Sequence, residues 1–170
     1  YYRKGSAASN LKAEELDEAY IKDAKILHIS GITPALSESC RKTLFKAIEV
    51  AKANNVLVSF DPNIRLKLWT KKEAIPVLLE IAKKSDMIFP GIDEGEMLLG
   101  FTKPTDIADS FIKMGCSVVA VKLGEEGCYI ADKDRGLYVN AYKLENPQDT
   151  VGAGDGFAAG FLSGMLKKLD

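Results

Sequence analysis

These 170 residues contain no run of some 18 apolar residues, so no helix able to span a bilayer is expected. Histidine occurs once, at His28 in an apolar run, which leaves no metal cluster to be built from imidazole and favours a satisfied strand residue. The three cysteines, Cys40, Cys116 and Cys128, are odd in number, far apart and without Cys-x-x-Cys spacing. Such usage favours a reducing cytoplasm and core packing over a disulfide framework or a zinc site. Charge of one sign is also lacking: 23 Lys and Arg face 24 Asp and Glu, a net charge of -1, with no basic excess for nucleic acid or an anionic membrane. There is no internal repeat and no low-complexity stretch. The opening Tyr1-Tyr2-Arg3-Lys4 has neither Met nor a signal-peptide pattern, so the chain reads as part of a longer protein.

What is present suffices for one globular domain, since 46% of the residues are hydrophobic. Helical and strand periods alternate. Helices are expected around Ala13 to Ala24, Leu36 to Ala53, Lys72 to Lys84, Asp93 to Leu99 and Thr105 to Met114. Strands are expected at Lys25 to Ser30, Val56 to Phe60, Met87 to Phe89 and Ser117 to Leu123, the last apolar on both faces as a central parallel strand is. This alternation predicts an α/β fold with a mostly parallel sheet, covered by helices on both faces. After Gly127 two short strands near Tyr129 and Leu137 suggest an antiparallel excursion.

Parallel sheets take ligands at the carboxyl ends of their strands, and the unusual residues fall there. Asp61-Pro62-Asn63-Ile64-Arg65 follows the second strand, Pro90-Gly91-Ile92-Asp93-Glu94 the third, and Lys122-Leu123-Gly124-Glu125-Glu126-Gly127 the fourth. Gly and Pro ending strands explains some of this, but not Arg65, Glu94 and Lys122. Beyond them lies Asp149-Thr150-Val151-Gly152-Ala153-Gly154-Asp155, which runs into an apolar and small helical stretch to Phe161 that reads as buried. Small residues at Gly152, Ala153 and Gly154 let backbone approach a ligand, and the first helical turn offers unpaired N–H groups to an anion. Asp155 then lies beside that anion as an ionised, weak base, which suits phosphoryl transfer. A glycine turn that merely starts a helix is the plainer alternative. A dinucleotide fingerprint is disfavoured, because Phe157 stands where its third glycine belongs, and the Lys-Ser/Thr of a Walker loop is absent.

The segment from Asp149 to Phe161 resembles the second signature of the ribokinase or PfkB family of carbohydrate kinases. The resemblance runs over nearly the whole chain and implies a ribokinase-like fold. Residues 1–170 would be the central to carboxyl-terminal part of one such domain, without its amino-terminal lid region and its carboxyl-terminal end. It implies ATP and Mg²⁺ as cofactors, Asp155 as base and acceptor-binding residue, and Gly152, Ala153 and Gly154 as the anion hole. Lys122, Gly124 and Gly127 resemble the family's nucleotide-binding loop, joined by Gly152 and Gly154. Gly91-Ile92-Asp93-Glu94 resembles its Asn-x-x-Glu segment with Gly in the Asn position, leaving Glu94 to hold the metal through water. Asp61 to Trp69 resembles a segment of the fructokinase and 2-keto-3-deoxygluconate kinase branches, and Tyr1 to Ala8 with Leu27 to Thr33 looks most like the latter, in which Tyr1, Arg3 and Arg65 would contact a sugar acid. Two arginines suit a carboxylate-bearing sugar. The expectation is therefore a cytoplasmic sugar-acid kinase with no nucleic-acid or membrane partner, a homo-oligomer being left open for the full-length protein. A fructokinase or other PfkB-type kinase, a non-catalytic binding relative and a nucleotide-dependent oxidoreductase stand as alternatives.

Overall fold

The computed structural model describes residues 5–143 and 151–168. A short helix α1 (Glu18–Lys22) precedes strand β1 (Ile26–Ser30); one turn, α2 (Thr33–Leu36), then leads into α3 (Glu38–Ala53) and β2 (Leu57–Asp61). Next come α4 (Lys71–Lys84), β3 (Met87–Ile88), α5 (Ile92–Leu99), α6 (Pro104–Met114) and β4 (Val118–Lys122). A hairpin of β5 (Cys128–Ala131) and β6 (Gly136–Val139) precedes the final helix, α7 (Ala153–Lys167).

Local chemistry sets the helix starts. The Ser37 hydroxyl accepts from the Cys40 N–H at 3.1 Å to cap α3, and Thr70 and Glu73 form a reciprocal capping box at α4. The long helix expected from Ala13 to Ala24 is not formed: a 3₁₀ turn at Ala13–Glu15 is followed by extended Leu16 and Asp17. The Asp17 carboxylate accepts from the Tyr20 N–H at 3.0 Å, and capping there begins α1 afresh.

One six-stranded sheet has the spatial order of the sequence. Strands β1 to β4 are parallel, and β5 and β6 close the far edge antiparallel. Helices lie on both faces, as expected, and the strand order sets how they are shared out among the described residues. When each parallel strand is added on the same side of the last, right-handed crossovers all fall on one face. Helices α3 to α6 accordingly share one core with Val58, Phe60, Ile88, Val119 and Val121. On the opposite face, among the described residues, α7 packs over Met87, Phe89 and Ala120 through Phe157, Ala158 and Phe161. Phe89 meets the rings of Phe161 and Phe157 edge-on, with centroids 5.2 and 6.1 Å away. Helix α7 is thus anchored along one stripe, and only its Ala158 is buried, where the small apolar stretch had suggested a buried helix.

The three cysteines are buried free thiols, as their spacing implies. Burial pushes the Cys116 thiol up to about 12. No helix among the described residues is long and apolar enough to cross a membrane.

Candidate active site

At the carboxyl rim of the sheet, the ends of β2, β3 and β4 and the amino end of α7 enclose a cleft of about 1160 Å³. It collects Arg65, Glu94, Lys122, Gly124, Gly152, Gly154 and Asp155 from segments far apart in sequence. Gly152 caps α7 with a left-handed φ of 79°, and the first hydrogen bond of the helix runs from Gly156 N–H to the Gly152 carbonyl at 2.8 Å. The N–H groups ahead of Gly156 have no partner within the helix and point out of its positive end. Asp155 stands exposed in that first turn. Ala153 belongs to the same turn but does not line the cleft.

Arg65 is exposed on the loop after β2, and its guanidinium donates to the Ile64 carbonyl at 3.3 Å. Glu94 holds that loop in place. Its Oε1 accepts from the Ile64 N–H at 2.9 Å and its Oε2 from the Gly91 N–H at 2.8 Å, which ties the exit of β2 to the start of α5. Burial raises the Glu94 pKa above the ordinary carboxylate value; the Gly91 N–H, Lys122 and the Ile64 N–H oppose that, and Asp61 adds to it.

Lys122, expected to face nucleotide phosphate, is paired across the cleft floor with Asp61, its Nζ 3.0 and 2.8 Å from the two carboxylate oxygens. Gly127 lies off the cleft. Its φ is 108°, and a Cβ there would run into the Val139 carbonyl oxygen, so it serves the close packing of β6. Tyr1, Arg3, Asp149 and Thr150 lie outside the described residues.

Asp61 is the site residue that sequence reasoning passed over. The signal was its position as the last residue of a strand at the ligand-binding rim, in a segment already noted for Arg65. His28 stands below, on the face that carries α7, its Nδ1 3.0 Å from Ser59 Oγ. Partial burial lowers its pKa; Asp61 and Asp155 pull it up and Lys122 pushes it down, so the ring feels all three charges.

Among the described residues no group of three or more His, Cys, Asp or Glu could hold a metal ion. A magnesium ion would therefore take its ligands largely from phosphate oxygens and water, which is its usual habit. Asp93 and Asp155 also line the cleft and could meet such an ion through water, whereas both oxygens of Glu94, the residue expected to hold it, already accept from the Ile64 and Gly91 N–H groups.

An open α/β sheet with an exposed helix amino end, a neighbouring carboxylate and basic residues at its carboxyl rim is the arrangement in which folds of this kind take anionic ligands. The chain belongs to the pfkB family of carbohydrate kinases, whose model matches residues 1–170. It is 41% identical over 170 residues to the 2-dehydro-3-deoxygluconokinase of Bacillus subtilis, covering 99% of this chain and 52% of that protein. It is 38% identical to probable fructokinase-5 of Arabidopsis thaliana, covering 98% and 52%. Among solved structures, the 2-dehydro-3-deoxygluconokinase of Thermotoga maritima superposes with a TM-score of 0.89 at 30% identity, over 98% of this chain and 56% of that one. An E. coli protein described as a ribokinase II, in complex with ATP and Mg²⁺, superposes with a TM-score of 0.84 at 29% identity, over 94% and 51%. The chain spans about half the length of these relatives.

Proposed function

We propose that the chain is the central to carboxyl-terminal part of an ATP-dependent, Mg²⁺-requiring kinase that phosphorylates a hydroxymethyl group of 2-keto-3-deoxygluconate, otherwise 2-dehydro-3-deoxygluconate, in the cytoplasm. The observation that carries this reading is the meeting of Asp155, the amino end of α7, Lys122 and Arg65 in one cleft. Asp155 accepts the hydroxyl proton as the new bond forms, and the N–H groups from Gly152 to Asp155 stabilise the charge on the transferred group. Lys122 and Gly124 face the nucleotide side. Bound with the nucleotide, Mg²⁺ neutralises charge on the phosphates. Arg65, with Tyr1 and Arg3, grips the carboxylate of the acceptor, a group that a neutral hexose lacks.

Fructokinase activity is the second reading, favoured by the likeness to probable fructokinase-5. A coupled assay on the full-length protein, offering 2-keto-3-deoxygluconate, fructose and ribose with MgATP, separates the two. Preference for the keto-acid supports the proposal; preference for fructose replaces it. Turnover of none of them, with nucleotide still bound, points to a non-catalytic relative.

A further inference from the structure

Asp61 ends β2 with only 3% of its surface exposed, yet it lines the cleft. Both carboxylate oxygens take the Lys122 ammonium, and Oδ1 also accepts from the Asn63 N–H at 3.1 Å. A carboxylate so occupied is not free to take a substrate proton, which leaves that task to exposed Asp155. The second contact turns the chain at Asn63, whose φ is 39°, toward Arg65. Lys122 is anchored from behind as well, its N–H donating to the Pro90 carbonyl at 2.8 Å.

The pair lies directly beneath the start of α7. A Cβ built on Gly154 would stand 3.7 Å from Lys122 Nζ and 3.9 Å from Asp61 Oδ2. An unanchored lysine stem samples many rotamers, whereas a charge fixed in advance costs no reorganisation at the moment of reaction. We propose that Asp61 is a positioning residue for phosphoryl transfer: it holds the Lys122 ammonium under Gly154 and turns the loop bearing Arg65, so one carboxylate aligns the nucleotide and acceptor sides of the cleft. This rests on the kinase reading above.

The test uses the full-length protein with MgATP and 2-keto-3-deoxygluconate, in Asp61→Asn, Lys122→Met and the double variant. Each single change is expected to lower kcat by about tenfold or more, and the double variant is expected to be no worse than the poorer single, because the two act as a unit. A fall in kcat with an unchanged melting temperature and little change in KM is the readout that a merely structural role would not give, while His28 reports whether both charges stand in place beside it. Its imidazole NMR signal, assigned by its loss in His28→Gln, is expected to titrate at lower pH in Asp61→Asn and at higher pH in Lys122→Met, with the double variant between. A kcat within twofold of wild type in Asp61→Asn, multiplicative losses in the double variant, or His28 shifts of one sign in both singles would each overturn the proposal. If Asp61→Asn does not fold, the double variant decides, and wild-type kcat there refutes the role. A wild type that phosphorylates no sugar instead sinks the kinase reading itself, and this proposal with it.

Discussion

At the residue scale, the proposed function assigns proton transfer to Asp155 and acceptor recognition to Arg65. Asp155→Asn in the full-length protein is expected to lower kcat by roughly 10²–10⁴-fold, the range for loss of a general base, with an unchanged melting temperature because the side chain is exposed. A loss below about tenfold refutes the assigned role. Arg65→Ala is expected to raise KM for the keto-acid far more than KM for ATP, since a charge-assisted contact is worth roughly 1.5–3 kcal/mol. Arg65→Lys should rescue only partly, as lysine cannot fork; equal effects on both KM values would place Arg65 elsewhere. His28 carries a pH signature. Its folded pKa lies below the ordinary 6.5, so in the window just below 6.5 the unfolded state binds more protons. Its contribution is therefore present above 6.5 and is lost as pH falls through that window. Denaturant unfolding on either side of that pH should show a smaller difference in His28→Gln than in wild type.

At the scale of elements, α7 turns its amino end into the cleft, yet its seat on the sheet is one largely aromatic stripe. Phe161→Ala removes the ring 5.2 Å from Phe89 and is expected to cost about 2 kcal/mol, less than a fully buried Phe because the side chain is only partly covered. Turnover should fall with stability, since the first turn of α7 is aimed by that contact. Chemical denaturation and kcat measured together check this, and a stable variant with full kcat would show that the helix is aimed otherwise. Helices α3 to α6 were legible in the chain because an apolar stripe with a cap at one end needs little context, as Ser37 and Thr70 illustrate. The stretch from Ala13 to Ala24 was not, because its helical period ignored the capping strength of Asp17.

At the scale of the whole molecule, the described residues clothe the two faces of the sheet unequally. Among the described residues, the face of β1 opposite α3 carries Ile26 and His28 beside α7 alone, and the edge strand β6 exposes Leu137, Tyr138 and Val139 at 44%, 60% and 41%. Exposed apolar strands at an unpaired edge invite association. The isolated 170-residue chain is expected to show concentration-dependent association in sedimentation and negligible kinase activity beside the full-length protein. A monodisperse chain that phosphorylates sugar at the full-length rate would refute this.

The order of helices and strands, the free thiols, and the membership of Arg65, Glu94, Lys122 and the Gly152 to Asp155 turn in one rim could all be read from the chain alone. These follow from local period, from glycine spacing and from the rule that parallel strands present their carboxyl ends together. Tertiary structure decided what the side chains at that rim do to one another. Glu94 is taken up by two backbone N–H groups, Gly127 serves β6, and Lys122 is bound to Asp61, sixty-one residues away in sequence. No local pattern encodes such a pairing, because it exists only once the ends of β2 and β4 have been brought to the same floor. The uneven cover of the sheet is of the same kind, since strand order is a property of the assembled sheet and not of any strand within it.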